Sequence, residues 1–152
     1  MVSPPVVTID DASKVAADLY GWKAEAIALT GERDKNYLLH TQEAGDVVLK
    51  FINPAEEAAE TVLQIQVLLW HAQQIGAVVV PKALRSRTGD LVCDYTVGEQ
   101  VYKVRAYTYL NGVSVAQAQM GAALQQSFGA QAAQLVRALE GFDHPALSRV
   151  LL

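Results

Sequence analysis

The chain has 152 residues, 51% of them hydrophobic and 18% charged, which is enough apolar material for one packed core and too much for a disordered segment. Twelve Lys and Arg against sixteen Asp and Glu leave a net charge of −4, so no global positive field exists to gather nucleic acid or an anionic membrane. The lone Cys93 excludes an intrachain disulfide or a cysteine-based zinc site, and three scattered histidines, His40, His71 and His144, do not make a metal cage. No apolar run approaches the ~18 residues of a membrane span, and Met1–Pro5 carries neither a basic nor an apolar leader pattern. The expectation is a cytoplasmic domain with no nucleic-acid or membrane partner.

Residues 1–10 carry little pattern and read as a mobile lead-in. Asp10-Asp11-Ala12-Ser13 supplies capping residues for a short helix that stops near Gly21. The apolar period then changes to two. Strands are expected at Ala26–Leu29, Tyr37–Thr41 and Val47–Ile52, with the polar turn Thr30–Lys35 between the first two and Glu43-Ala44-Gly45-Asp46 between the second pair. Asn53-Pro54-Ala55-Glu56 has the residue types of a helix start. The helix should run to about Gln74 and end at Gly76, with Val62, Ile65, Leu69 and Ala72 on its apolar side, widened by Leu63 and Trp70. Strands follow at Ala83–Arg87, Leu91–Tyr95 and Val101–Leu110, turning at Thr88-Gly89-Asp90 and Val97-Gly98-Glu99.

The composition shifts after Val113: residues 113–136 hold no charge and are rich in Ala and Gln. Leu124, Phe128, Leu135, Leu139 and Phe142 recur at helical spacing, so a helix should cover much of 114–140 before Asp143-His144-Pro145 breaks it. Ala146–Leu152 restarts a helical or extended run. Hairpins with a long helix laid on them make an α+β architecture. Residues 11–110 form its body, and 111–152 lead away from it.

Lys50 is the most informative residue. Period two puts Val48, Lys50 and Ile52 on one face of a strand and Val47, Leu49 and Phe51 on the other. Apolar neighbours flank the ammonium either way, so it wants an anionic or strongly polar partner; an edge-strand lysine that blocks aggregation is the bland reading. The turn Gly31-Glu32-Arg33-Asp34-Lys35-Asn36 offers backbone amides, Arg33 and Asn36 to phosphate oxygens, though a solvated hairpin turn would need the same residue types. Gln66 lies mid-helix on or near the apolar stripe, where a polar side chain needs a partner. Glu56, Glu57 and Glu60 sit where the helix dipole favours negative charge, or simply form a solvated acidic face. Ser114 and Ser127 lack a nucleophile-elbow context, and no carboxylate pair has a catalytic spacing.

Four pieces in this order, Leu29–Tyr37, Val48–Asn53, Val104–Gly112 and Leu139–Ala146, resemble the N-terminal lobe of the aminoglycoside phosphotransferase/choline kinase-like small-molecule kinases. The hydroxylysine kinase-like branch, whose members also occur fused to class III aminotransferases, is the most similar. The resemblance implies a protein-kinase-like N-lobe: an antiparallel sheet of five or six strands, one long packed helix, and C-terminal helices leading to a C-lobe. It implies a nucleotide site in which Gly31, Arg33, Asp34 and Asn36 cover the phosphates and Lys50 contacts them. Tyr107, Thr108 and Tyr109, with Leu110, would be the hinge to the base. Such kinases often place a glutamate on the helix opposite the lysine; the matching position is Gln66, with Glu60 as the other candidate partner.

The implied activity is transfer of a phosphoryl group from ATP or GTP, with Mg²⁺, to a hydroxyl of an amino-alcohol, hydroxy-amino-acid or aminoglycoside-like substrate. The catalytic Asp and metal ligands of such kinases lie well beyond the hinge, so the 152 residues are expected to be an inactive, truncated nucleotide-binding lobe. The apolar stripe of residues 113–152 would then be free for a homodimer. The competing expectation is a regulatory or interaction module that keeps the lobe without catalysis, possibly fused to an aminotransferase.

Overall fold

The computed structural model describes residues 3–74 and 78–148. A first helix, α1 (Ile9–Val15), continues as a π-helical turn through Ala16–Tyr20 and stops at Gly21, whose φ of +74° favours glycine. Three strands follow: β1 (Ala24–Leu29), β2 (Lys35–Thr41) and β3 (Gly45–Phe51). The long helix α2 (Ala58–His71) separates them from β4 (Ala83–Leu84), β5 (Cys93–Val97) and β6 (Gln100–Thr108). A further helix, α3 (Ala122–Ala138), comes after a short 3₁₀ turn at Val115–Gln117, and a second 3₁₀ turn covers Pro145–Ser148.

All strand pairs are antiparallel, in the order β1-β2-β3-β6-β4, with β5 also on β6. The six strands, the packed helix and the helices beyond them are those expected of a kinase-like N-lobe. Alternation along β3 decides the layers. Val47, Leu49 and Phe51 are fully buried, and they join Tyr37, Leu39, Val104 and Ala106 beneath α1, where Ala12, Val15 and Ala16 close the core. Tyr37 and Tyr102 both pack edge-on against Phe51. The short first helix, rather than the long one, therefore covers the main core.

Several boundaries differ from the expected ones. Residues 53–57 make a turn before α2 begins at Ala58, because the polar groups of Asn53 are used elsewhere. The buried residues of α2 are Thr61, Leu63, Ile65 and His71, while Val62 and Leu69 are 44% and 38% exposed, so its packed face is rotated from the expected stripe. The fourth strand keeps only Ala83 and Leu84 of the expected Ala83–Arg87, since Ser86 to Asp90 close a turn on their own hydrogen bonds. The expected lead-in is in contact with the sheet: Val7 is buried and its carbonyl accepts the Tyr37 hydroxyl at 2.6 Å. The expected end of the long helix at Gly76 and the last residues of the final run, 149–152, lie outside the described residues.

Nearly all of α3 is exposed; it touches α2 through its C-terminal end, where Ala138 O accepts the Trp70 indole N–H at 2.9 Å and Phe142 packs edge-on to Trp70. Among the described residues no helix is long and apolar enough to cross a membrane.

Candidate functional site

The face of the sheet away from α1 carries the polar row. Cross-strand pairing sets Asn36 beside Lys50 and Lys50 beside Arg105, so β2, β3 and β6 present the three side chains in line on one face. The next row holds Val48 and Tyr107. α2 lies over this face, and between them is a cleft of about 420 Å³ lined by Lys50, Arg105, Gln64 and Tyr107 with Leu63, Val67, Leu68, Pro81 and Leu147. Its chemistry is a mostly apolar slot with two cations at one side.

Lys50 has a carboxylate partner. Its Nζ lies 2.6 Å from Asp34 Oδ2, and the two side chains are only 22% and 12% exposed. The other oxygen, Oδ1, accepts the backbone N–H of Asn53 at 2.8 Å. Asn53 is itself buried. Its Nδ2 donates to Arg33 O and Ser3 O, and its Oδ1 accepts from Ala55 N–H. The Gly31–Asn36 turn is thus tied to the end of β3 by a satisfied network. Gly31 is required there for space: a Cβ would stand 2.5 Å from Asp34 O and 2.7 Å from Asn36 Nδ2. The side chain of Arg33 is exposed.

Arg105 is the second cation, and it is 1% exposed. Its guanidinium donates to Gln64 Oε1 and, at 3.4 Å, to Thr61 O, both on α2, and it lies 5.4 Å from the centre of the Tyr107 ring. Its Nε has no hydrogen-bond partner among the described residues. Burial pushes the Tyr107 hydroxyl up to about 12, with Arg105 pulling the other way, so this phenol stays a hydrogen-bond donor at neutral pH.

The structure therefore brings together Gly31, Asp34, Asn36, Lys50 and Tyr107 of the residues singled out from sequence. Gln66 does not join them. It is exposed and lines another hollow with Trp70, Gln73 and Phe142, while Gln64, two positions earlier, faces the sheet. Gln64 and Arg105 were missed as site residues. The signal for Arg105 was a charge inside the apolar alternation of β6. Of the hinge residues, Thr108 N–H is taken by Lys82 O and Tyr109 N–H by Asp46 O, both at 3.0 Å. Leu110 N–H donates to no backbone carbonyl among the described residues.

The sequence matches the phosphotransferase enzyme family (APH) over residues 25–150. The chain belongs to that family. It is 28% identical to a hydroxylysine kinase of Danio rerio over 148 residues, covering 94% of this chain and 42% of that protein. A hydroxylysine kinase of Mus musculus is 29% identical over 156 residues, with 95% and 42% covered. This member of the family thus spans about two-fifths of the length of either relative.

The fold matches two solved kinases. One is the amicoumacin kinase hAmiN in complex with AMP-PNP, Ca²⁺ and Ami, with a TM-score of 0.75 at 19% identity, covering 91% of this chain and 42% of that one. The other is a microcompartment-associated aminopropanol kinase, with a TM-score of 0.70 at 16% identity and coverage of 95% and 44%. At these identities the likeness is one of fold: the chain has the N-lobe architecture of kinase-like phosphotransferases.

Proposed function

We propose that this chain is the nucleotide-binding part of a small-molecule kinase that moves the γ-phosphoryl group of ATP or GTP to a substrate hydroxyl. The relatives named hydroxylysine, amicoumacin and aminopropanol kinase support an acceptor of the amino-alcohol, hydroxy-amino-acid or aminoglycoside-like kind. The observation that carries the reading is the placement of Lys50. A partly buried ammonium beside a tight glycine turn, at the polar side of an apolar cleft, is suited to polyanionic phosphate and a flat base together.

In this reading Lys50 neutralises phosphate charge in a site of reduced dielectric, which is a positioning and electrostatic contribution rather than proton transfer. The turn's backbone amides cover the phosphates, and Leu63, Val67, Leu68 and Tyr107 supply contact area for the base. Among the hinge residues the N–H of Leu110, which donates to no backbone carbonyl among the described residues, is the amide offered to the base, those of Thr108 and Tyr109 being engaged with Lys82 and Asp46. Mg²⁺, were it bound with the nucleotide, would supply charge neutralisation at the phosphates. Among the described residues no three His, Cys, Asp or Glu side chains converge to hold such an ion. By itself the chain would bind nucleotide without turning it over.

The exposed Phe128, Val136 and Leu135 on α3 extend the proposal to a homodimer through residues 113–152, which light scattering at rising concentration would reveal as a doubled mass and a constant monomer mass would refute. The central test is calorimetric titration of Mg·AMP-PNP into this chain. Saturable binding, weakened about a hundredfold by Lys50→Ala, is the expected result, in line with loss of a charge-assisted contact. No saturation by the wild-type chain, or an unchanged affinity in the variant, would overturn it.

A further inference from the structure

Lys50 lines the cleft beneath α2, yet the carboxylate it pairs with belongs to the turn between β1 and β2. Gln64, which α2 turns toward the sheet, is engaged with Arg105, and Gln66 lies in a separate hollow. Asp34, in the turn between β1 and β2, meets the ammonium at 2.6 Å. The carboxylate is also held by the chain itself. Its second oxygen is held by Asn53 N–H, and Asn53 holds the neighbouring Arg33 carbonyl through a side chain that is 1% exposed. A carboxylate held at one oxygen and presented with the other is a template for a lysine, not a loose surface partner.

We propose that Asp34 is the positioning residue for Lys50, so that the glycine turn and the phosphate-binding ammonium form one mechanical unit anchored on Asn53, with α2 coupled to the sheet separately through Gln64 and Arg105. This rests on the reading of Lys50 as the phosphate-contacting cation. It assigns the turn a second duty: besides covering the phosphates, it aims the lysine. A substitution that leaves α2 in place but neutralises Asp34 should misaim Lys50, whereas changes on α2 should reach the site through Arg105.

The test is acylation of the folded chain with a water-soluble N-hydroxysuccinimide ester, the rate at Lys50 being read by peptide mass spectrometry against the exposed Lys103. In Asp34→Asn, which keeps an acceptor for Asn53 N–H, Lys50 should be modified faster while Lys103 is unchanged. Asp34→Glu should restore part of the protection. Circular dichroism checks folding, and Asp34→Ser serves if the asparagine variant does not fold. Equal rates in wild type and Asp34→Asn would overturn the proposal.

The second arm is Mg·AMP-PNP affinity. Asp34→Asn should lose about tenfold, which is about 1.4 kcal/mol. Unchanged or tighter binding would contradict a positioning role. If the wild type binds no nucleotide, the positioning role falls with the functional reading, and the acylation rates then show that the ion pair was read correctly and the function was not.

Discussion

Lys50 and Arg105 are cross-strand partners on β3 and β6, yet each is held by a different part of the molecule. Lys50 is paired with Asp34 in the turn between β1 and β2, and Arg105 with Gln64 on α2. Two cations one strand apart repel, and each is stabilised only while its own partner stays in place.

Gln64 should therefore matter to stability more than its polar character suggests. Gln64→Ala removes the side-chain acceptor of a buried guanidinium whose Nε is already without a partner among the described residues, and is expected to cost about 1–3 kcal/mol in urea unfolding. Arg105→Met combined with Gln64→Leu removes both polar groups at once and should cost less than the two single changes added together. Strict additivity would show that the two residues do not interact.

Gly31→Ala should separate binding from folding. The added methyl would press on Asp34 O and Asn36 Nδ2, forcing the turn to move while the core beneath α1 is untouched. The expected result is weaker Mg·AMP-PNP binding by calorimetry with little change in the thermal midpoint. Full affinity in the Gly31→Ala variant would show that the turn's tightness has no bearing on the site.

Thr8 and Asp11 provide a pH-dependent cap. The Thr8 hydroxyl accepts the Asp11 N–H, and the Asp11 carboxylate accepts the Thr8 N–H and hydroxyl. Those hydrogen bonds from Thr8 hold the Asp11 carboxyl below its ordinary value. A depressed folded-state value contributes stability above the ordinary carboxylate range and loses it as pH falls through the folded value. Thr8→Ala should thus cost about 1 kcal/mol at neutral pH. The difference between variant and wild type should narrow in acid, as chemical unfolding across pH would register.

The sheet and its polar face were legible in the sequence because period two is a strong constraint: once Val47, Leu49 and Phe51 were inward, Lys50 had to face the other way. The face of α2 was not legible. Val62, Leu63, Ile65, Val67, Leu68, Leu69 and Trp70 surround most of its circumference, so apolar spacing could not choose between Gln64 and Gln66. Asn53 read as a helix cap because its local context fits one. Its side chain does cap a turn at Ala55, but two other hydrogen bonds reach Ser3 and Arg33, which no local pattern encodes. The Lys50–Asp34 pair was hidden for the same reason, since the turn that presents Asp34 is shaped by Gly31 and Asn53 rather than by any periodicity.

The most direct measurement is an amide chemical-shift map of the ¹⁵N-labelled chain during addition of Mg·AMP-PNP. The largest changes should fall on Gly31–Asn36, Lys50 and Leu110, with the exposed length of α3 unaffected. Changes confined to α3, or none in these three places at saturating nucleotide, would contradict a phosphate site built on Lys50.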